Sequence, residues 1–113
     1  MVKSISIVTV TRNAADQLKR TIDSVSRQKY EGMEYIAIDG ASTDGSVRII
    51  SESPCVDKWI SEPDRGIYDA MNKGTRMANG EWILFMNAGD TFAADDVIDR
   101  LMTAVDSHPE TDV

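Results

Sequence analysis

Hydrophobic and polar positions along this chain are organised in blocks whose period keeps switching. Residues 5–10, Ile-Ser-Ile-Val-Thr-Val, form a short β-branched run that stops at Thr11-Arg12-Asn13, and such a run predicts a strand. Beyond it the period lengthens: Leu18, Ile22 and Val25 fall at i, i+4 and i+7, one face of a helix. Asn13 suits the N-cap of that helix, and Asp16 three residues later is an acidic variant of the capping box that favours the helix dipole. The same switch then recurs. Residues 35–39 read as a second strand, followed by the turn-rich segment Gly40-Ala41-Ser42-Thr43-Asp44-Gly45 and a helical stretch around 47–51. Residues 56–61 predict a weaker third strand. After Glu62-Pro63-Asp64-Arg65-Gly66 a helix begins near Ile67, with Ile67, Ala70, Met71, Gly74 and Ala78 on one face and Gly80 as its closing C′ residue. Residues 82–86 are uniformly apolar, which predicts a strand covered on both faces. Asn87-Ala88-Gly89-Asp90 then leads to a last helix, with Val97, Leu101 and Val105 at spacing four and His108-Pro109 as its stop.

Strand and helix alternate without an internal repeat or a low-complexity linker. That pattern predicts an α/β fold of three layers, α/β/α, with a mainly parallel sheet and helices on both faces. Residues 1–113 give room for one domain with one core. Thr111-Asp112-Val113 reads as the first residues of a further strand, so the chain is expected to be the N-terminal fragment of a longer protein.

Charge narrows the partners. Nineteen acidic against twelve basic residues give a net charge of −7, a field that repels polyanions and excludes nucleic acid as a partner. A small anion remains compatible, because convergent N–H groups, one Arg or a metal ion overturn the field locally. Cys55 is the single cysteine; it has no internal disulfide partner and no Cys or His beside it to share a metal, and it reads as a half-buried loop thiol. No apolar run is long enough to span a bilayer and no signal-peptide core is present, so the default expectation is a cytoplasmic compartment.

In open parallel sheets ligands bind beyond the carboxyl ends of the strands, which directs attention to the loops following each strand. Asp39 and Asp90 each follow an apolar strand directly, so both carboxylates are expected at one edge of the sheet. A hard divalent ion such as Mg2+ or Mn2+ takes one or two carboxylates and fills its shell with phosphate oxygens, so a single Asp suffices once a diphosphate is bound. On position alone these acids also read as turn residues, Asp90 in an Asx-type turn and Asp39 accepting N–H groups from residues 40–44. Arg65 likewise reads as a solvated loop charge.

Four segments in order, Ser6-Ile7-Val8-Thr9-Val10-Thr11-Arg12-Asn13, Ile38-Asp39-Gly40-Ala41-Ser42-Thr43-Asp44-Gly45, the stretch from Ser61-Glu62-Pro63-Asp64-Arg65-Gly66 to Asn72-Lys73-Gly74, and Gly80-Glu81-Trp82 through Asn87-Ala88-Gly89-Asp90, resemble family 2 glycosyltransferases of bacterial surface-polysaccharide synthesis. The resemblance covers nearly the whole chain. It implies a GT-A fold that binds a nucleoside-diphosphate sugar, with Mg2+ or Mn2+ on the diphosphate, and passes the sugar to a saccharide or lipid-linked acceptor, inverting the anomeric centre. Residue by residue it implies that Thr11 and its neighbour Asn13 lie along base and ribose, that Asp39 lies near the base and Arg65 near the nucleotide, and that Asp90 is the metal contact. Asn87 can hydrogen-bond a sugar hydroxyl. Gly40 stands where the family's Asp-Asp-Gly-Ser segment has its second acid, and Asn87 and Gly89 stand where the family commonly has Asp. The catalytic base is expected beyond Val113, so this chain is expected to bind donor without transferring it. The competing class is a non-catalytic α/β nucleotide-binding or signalling module, such as a phospho-accepting receiver; a receiver needs acids after its first strand, where this chain has Thr11-Arg12-Asn13. Oligomeric state is left open.

Overall fold

The computed structural model describes residues 3–107. Eight elements alternate: β1 (Ile5–Thr11), α1 (Ala15–Ser26), β2 (Met33–Asp39), α2 (Ser46–Ser51), β3 (Lys58–Ser61), α3 (Ile67–Met77), β4 (Trp82–Asn87) and α4 (Val97–Ser107). The strands form one parallel sheet in the order β3-β2-β1-β4. This meets the α/β/α expectation, and side-chain alternation explains the layers. Ile5, Ile7, Tyr35, Ala37 and Met86 face one side, where Leu18, Ile22 and Val25 of α1, Ile50 of α2, and Ile98 and Met102 of α4 cover them. Val8, Val10, Ile36 and Ile38 face the other side, where Ala70 of α3 covers them. Each fully buried Ile or Leu contributes on the order of 1.5–3 kcal/mol by leaving water.

The i, i+4, i+7 stripe of α1 is the one the spacing predicts. In α4 the buried stripe is Ile98, Met102 and Val105, rotated by one residue from the predicted Val97-Leu101-Val105 set. β3 begins two residues later than predicted, because Asp57 pairs outside the ladder: its N–H donates to Tyr35 O (2.9 Å) and its carboxylate accepts the Tyr35 N–H (2.8 Å). The apolar run 82–86 serves both layers, but Trp82, Ile83, Leu84 and Phe85 are only half-buried. The reason is topological: among the described residues β4 pairs on one edge alone, with β1. Cys55 is a half-buried loop thiol, as expected, and burial pushes its thiol pKa up. His108-Pro109 and the strand expected at 111–113 lie outside the described residues.

Gly80 does not close α3. The helix stops at Met77, with Ala78 extended (φ −74°, ψ 136°), and Gly80 instead crosses the start of β1 so closely that a Cβ would stand 2.5 Å from Ser6 N. Its N–H donates to Ser6 Oγ (2.9 Å), and Ser6 Oγ donates to Glu34 Oε1 (2.8 Å). Glu34 also accepts the Asn79 N–H (3.0 Å) and Lys58 Nζ (2.9 Å), so one carboxylate ties β1, β2, β3 and the turn before β4 together. On the same face of the sheet Gly74 permits α3 to lie against β1, since a Cβ there would overlap the Val8 side chain.

Two outcomes follow from this packing. Gly74→Ala should lower stability by about 1–3 kcal/mol through overpacking, read as an earlier urea midpoint, and adding Val8→Ala should recover part of the loss. Burial alone would raise the Glu34 pKa, but the hydrogen bonds from Asn79, Lys58 and Ser6 and the Lys58 charge outweigh it and hold the carboxyl below its ordinary 4.5. A depressed folded-state pKa adds stability above the unfolded value and loses it as pH falls through the folded value. Denaturant midpoints measured downward from pH 4.5 should therefore fall less steeply in Glu34→Gln than in the wild type.

Candidate functional site

The sheet register aligns the strand ends. Thr11 is paired with Asp39, Asp39 with Ser61, and Val10 with Asn87. The ladder continues one step past the strands, with Gly40 N donating to Thr11 O (2.9 Å), Glu62 N to Asp39 O (3.0 Å) and Ala88 N to Val10 O (3.2 Å). The loops after β1, β2, β3 and β4 thus leave the sheet at nearly one level. Strand order reverses between β3 at one edge and β4 at the other, so the β3–α3 connection passes over this end of the sheet. Such a reversal is where open α/β sheets form their binding crevice.

An open cleft of about 320 Å³ lies there. Val10, Thr11, Arg12 and Ala14 form the β1 side, Asp64, Gly66, Ile67 and Ala70 the α3 side, and Asn87 and Ala88 the β4 side. Its wall carries one cation, Arg12, and one anion, Asp64. Thr11 is 8% exposed, and its hydroxyl is the one buried side-chain polar atom with no hydrogen-bond partner among the described residues. An unpartnered buried hydroxyl costs stability, and the residue that carries it lines the cleft. Ile67, predicted on the buried face of α3, is 46% exposed and forms part of the cleft wall; it sits in the first turn, ahead of the point where α3 meets the sheet.

The loops around the cleft are held by polar contacts that tie each loop to its neighbours. Asp39 is fully buried, and its two oxygens accept Ser42 N (2.8 Å), Ser42 Oγ (2.6 Å) and Ser61 Oγ (2.7 Å). It therefore lies beneath the 40–44 loop, outside the cleft wall. Asn13 does not cap α1. It adopts φ 48°, and its Oδ1 accepts the Thr43 N–H (2.8 Å) while its own N–H donates to Ser42 Oγ (2.8 Å). The cap comes from the next loop: Asp44 accepts Ala15 N (3.1 Å) with one oxygen, and Ser46 N (2.9 Å) and Ser46 Oγ (2.6 Å) with the other. The Ser46 hydroxyl and N–H hold the Asp44 carboxyl below its usual range. Asp16 is exposed and takes no part in a capping box.

The β4–α4 connection is stitched to α1. Thr21 Oγ1 accepts Gly89 N (2.8 Å), Ser24 Oγ accepts Phe92 N (2.6 Å), and Gln28 donates to Ala94 O (2.7 Å) while accepting Ile98 N (3.0 Å) at the start of α4. Asp90, at the near end of this connection, is exposed, and one carboxylate oxygen accepts Asn87 N (2.9 Å) three residues back, closing the 87–90 turn from its far end where an Asx-type turn would reach forward. No cluster of three or more His, Cys, Asp or Glu able to hold a metal exists among the described residues. A cation here would need most of its ligands from an anionic guest and water, which suits a diphosphate-borne Mg2+.

On the β3–α3 side, Gly66 (φ 113°) donates its N–H to Asp64 Oδ1 (3.1 Å). Lys73 Nζ, 11% exposed, binds Pro63 O (2.9 Å) and Glu62 Oε1 (3.3 Å) and so pins the loop to α3. Arg65 is exposed at the rim and gives its backbone N–H to Asp69 Oδ2 (2.9 Å). That N–H chiefly, with the nearby Lys73, Arg65 and Arg76 charges, holds Asp69 below the usual carboxylate range. Of the residues singled out from sequence, Thr11 and Asn87 border the cleft, Asn13 and Asp39 organise the loop beside it, and Arg65 and Asp90 stand at its margins. Arg12 and Asp64 border it as well; both lie inside the quoted segments, but nothing in the spacing separates their side chains from solvated loop charges.

Comparison with known proteins agrees with this geometry. The family model described as glycosyl transferase family 2 matches residues 6–113. An uncharacterised glycosyltransferase of Mycobacterium tuberculosis is 40% identical over 104 residues, 90% of this chain and 40% of that protein. A PGL/p-HBAD biosynthesis glycosyltransferase of Mycobacterium bovis is 33% identical over 112 residues, 96% of this chain and 44% of that protein. This chain therefore spans less than half the length of these relatives. Among solved structures, the mannosyltransferase PcManGT of Pyrobaculum calidifontis, in complex with GDP-Man and Mn2+, superposes with a TM-score of 0.77 at 26% identity, covering 93% of this chain and 32% of that one. TarS of S. aureus, in complex with UDP-GlcNAc, superposes with a TM-score of 0.86 at 19% identity, covering 94% and 32%, which shows a shared fold. No helix among the described residues is long and apolar enough to cross a membrane. With the family model matched from the first strand onward and the cleft at the strand ends, the chain belongs to glycosyl transferase family 2.

Proposed function

We propose that this chain is the donor-binding part of a glycosyltransferase that moves a sugar from a nucleoside diphosphate to an acceptor hydroxyl. The observation that carries the reading is the cleft at the carboxyl ends of β1 and β4, lined by Thr11, Arg12, Asp64 and Asn87, in a chain of family 2. Thr11 and Asn87 contact the nucleotide sugar. Asn13 and Asp39 act on it through the 40–44 loop that they hold, and Arg65 supplies positive charge at the rim. The names of the relatives, one in PGL/p-HBAD biosynthesis and one in teichuronic acid biosynthesis, support a saccharide or lipid-linked acceptor.

In the transfer, the anomeric carbon exchanges its bond to the diphosphate oxygen for one to the acceptor oxygen, with inversion. The breaking bond leaves its electron pair on the diphosphate, and the acceptor proton passes to a base that we place beyond Val113. The chain alone then binds donor without transferring it. Asp90 would hold Mg2+ or Mn2+: its carboxylate is exposed and only one oxygen is engaged, by Asn87 N–H. When bound, the ion supplies positive charge against the leaving diphosphate. The chain's own contribution is a preformed crevice. Two non-glycine residues in the loops beside it, Asn13 and Ala41, hold positive φ, and strain of this kind concentrates at sites whose loops must not relax.

Calorimetric titration with UDP and with GDP, with and without Mn2+, tests the reading. The expected result is binding of one nucleotide that strengthens at least about tenfold with Mn2+ and loses that gain in Asp90→Ala, a difference of about 1.4 kcal/mol. A folded protein that binds neither nucleotide with Mn2+ present overturns it. Metal-enhanced binding that persists in Asp90→Ala would remove Asp90 as the metal contact and leave the donor site standing.

A further inference from the structure

We infer that Asp64 is the residue that accepts hydrogen bonds from the nucleoside of the donor, and that Gly40 is a glycine because Asp64 occupies the space its side chain would need. The inference rests on the donor-site reading above and adds a residue and a specificity to it. Asp64 is half-buried in the cleft wall, the single anion there. A Cβ on Gly40 would stand 2.7 Å from Asp64 Oδ2 and 3.4 Å from its Cγ. An acid at position 40 would therefore displace the Asp64 carboxylate from where it now stands. The carboxylate that the Asp-Asp-Gly-Ser pattern would place here from the β2 loop arrives in this chain from the β3 loop.

The side chain is held for this task. Oδ1 accepts Gly66 N (3.1 Å), in a turn whose φ of 113° favours glycine, and the loop is pinned by Lys73. Oδ2 accepts no hydrogen bond from any described residue. Thr11, which lines the same cleft, is more than nine-tenths buried, and its hydroxyl is also unpartnered. An ionised carboxylate only accepts, and a hydroxyl both donates and accepts. Together they match a guest rich in O–H and N–H donors, and in a nucleoside diphosphate such donors occur on the ribose and the base edge. The phosphates, which only accept, are excluded from contact with Asp64 by charge.

The test compares Asp64→Asn, which keeps the size and an acceptor for Gly66 N–H, with the exchange variant Gly40→Asp/Asp64→Gly. The probes are the better-binding of UDP and GDP, its 2′-deoxy form, and inorganic pyrophosphate, all with Mn2+. Asp64→Asn should weaken the nucleoside diphosphate by about tenfold or more, the range of one charge-assisted hydrogen bond, and leave pyrophosphate unchanged. The exchange variant should recover most of the loss, which a merely structural role of Asp64 would not allow. A wild-type preference for the ribonucleotide that vanishes in Asp64→Asn assigns the contact to the ribose, and one that persists assigns it to the base. Unchanged affinity in a folded Asp64→Asn, or equal loss for pyrophosphate, overturns the inference while the donor site stands. Failure of the folded wild type to bind either nucleotide overturns the donor-site reading and this inference with it.

Discussion

The pairing of β1 with β2 on one side and β4 on the other is the constraint on which the site depends. A parallel ladder fixes relative height along the strands, and a slip of one residue would turn every side chain to the opposite layer. Ile7 and Val8, adjacent in sequence, are both fully buried in different cores, so β1 has no second acceptable register. That double burial holds Thr11, Asp39 and Ser61 in one row, with Asn87 beside Val10. Loops that leave the sheet at one height can share hydrogen bonds, and the cleft is the space left between those that rise from β1, β3 and β4.

How those loops keep their shape follows from polar groups placed where an amphipathic pattern would call for apolar ones. Thr21, Ser24 and Gln28 are buried at spacings of three and four along α1 and its end. Each accepts an N–H from the segment that follows β4. A buried polar side chain that is satisfied costs little, and one left unsatisfied costs heavily. The segment bearing Asp90 is thus held by the penalty that would attach to releasing it. Asp39 does the same on the other side of β1, where one buried carboxylate fixes the 40–44 loop and the end of β3.

Periodicity made the elements legible, because a stripe at i, i+4, i+7 or a β-branched run reports burial within its own segment. The alternation of strand and helix, the parallel sheet with helices on both faces and the α1 core stripe followed from that. The caps were not legible for the converse reason: α1 is capped by Asp44 and α4 by Gln28, residues of other elements, and no local pattern encodes a partner 29 or 70 positions away. Asn13 has the residue type of a cap and the φ of a left-handed turn, and only the Thr43 N–H that it receives explains the difference. In the cleft, the resemblance marked position 40 as a departure without a cause. In the fold a Cβ there would meet the tip of the Asp64 side chain, 24 residues further along the chain.

Charge then orders the ends of a guest in the cleft. The protein carries a net −7, and an anion is favourable only where local positive charge offsets that field. Asp64 lies against Gly40 at the end of β2, and Asp90 follows β4, on the other side of β1. Two strand spacings separate those positions, about 10 Å, a span comparable to that from a nucleoside to its diphosphate. A carboxylate without a metal repels phosphate and accepts hydroxyl or N–H donors; a carboxylate with one oxygen open and solvent beside it can carry a cation. A nucleotide whose base and ribose lie over β2 and β1 and whose diphosphate lies toward β4 puts each acid beside the chemistry it tolerates. The reverse orientation would set phosphate against Asp64, in a half-buried place where screening is weak.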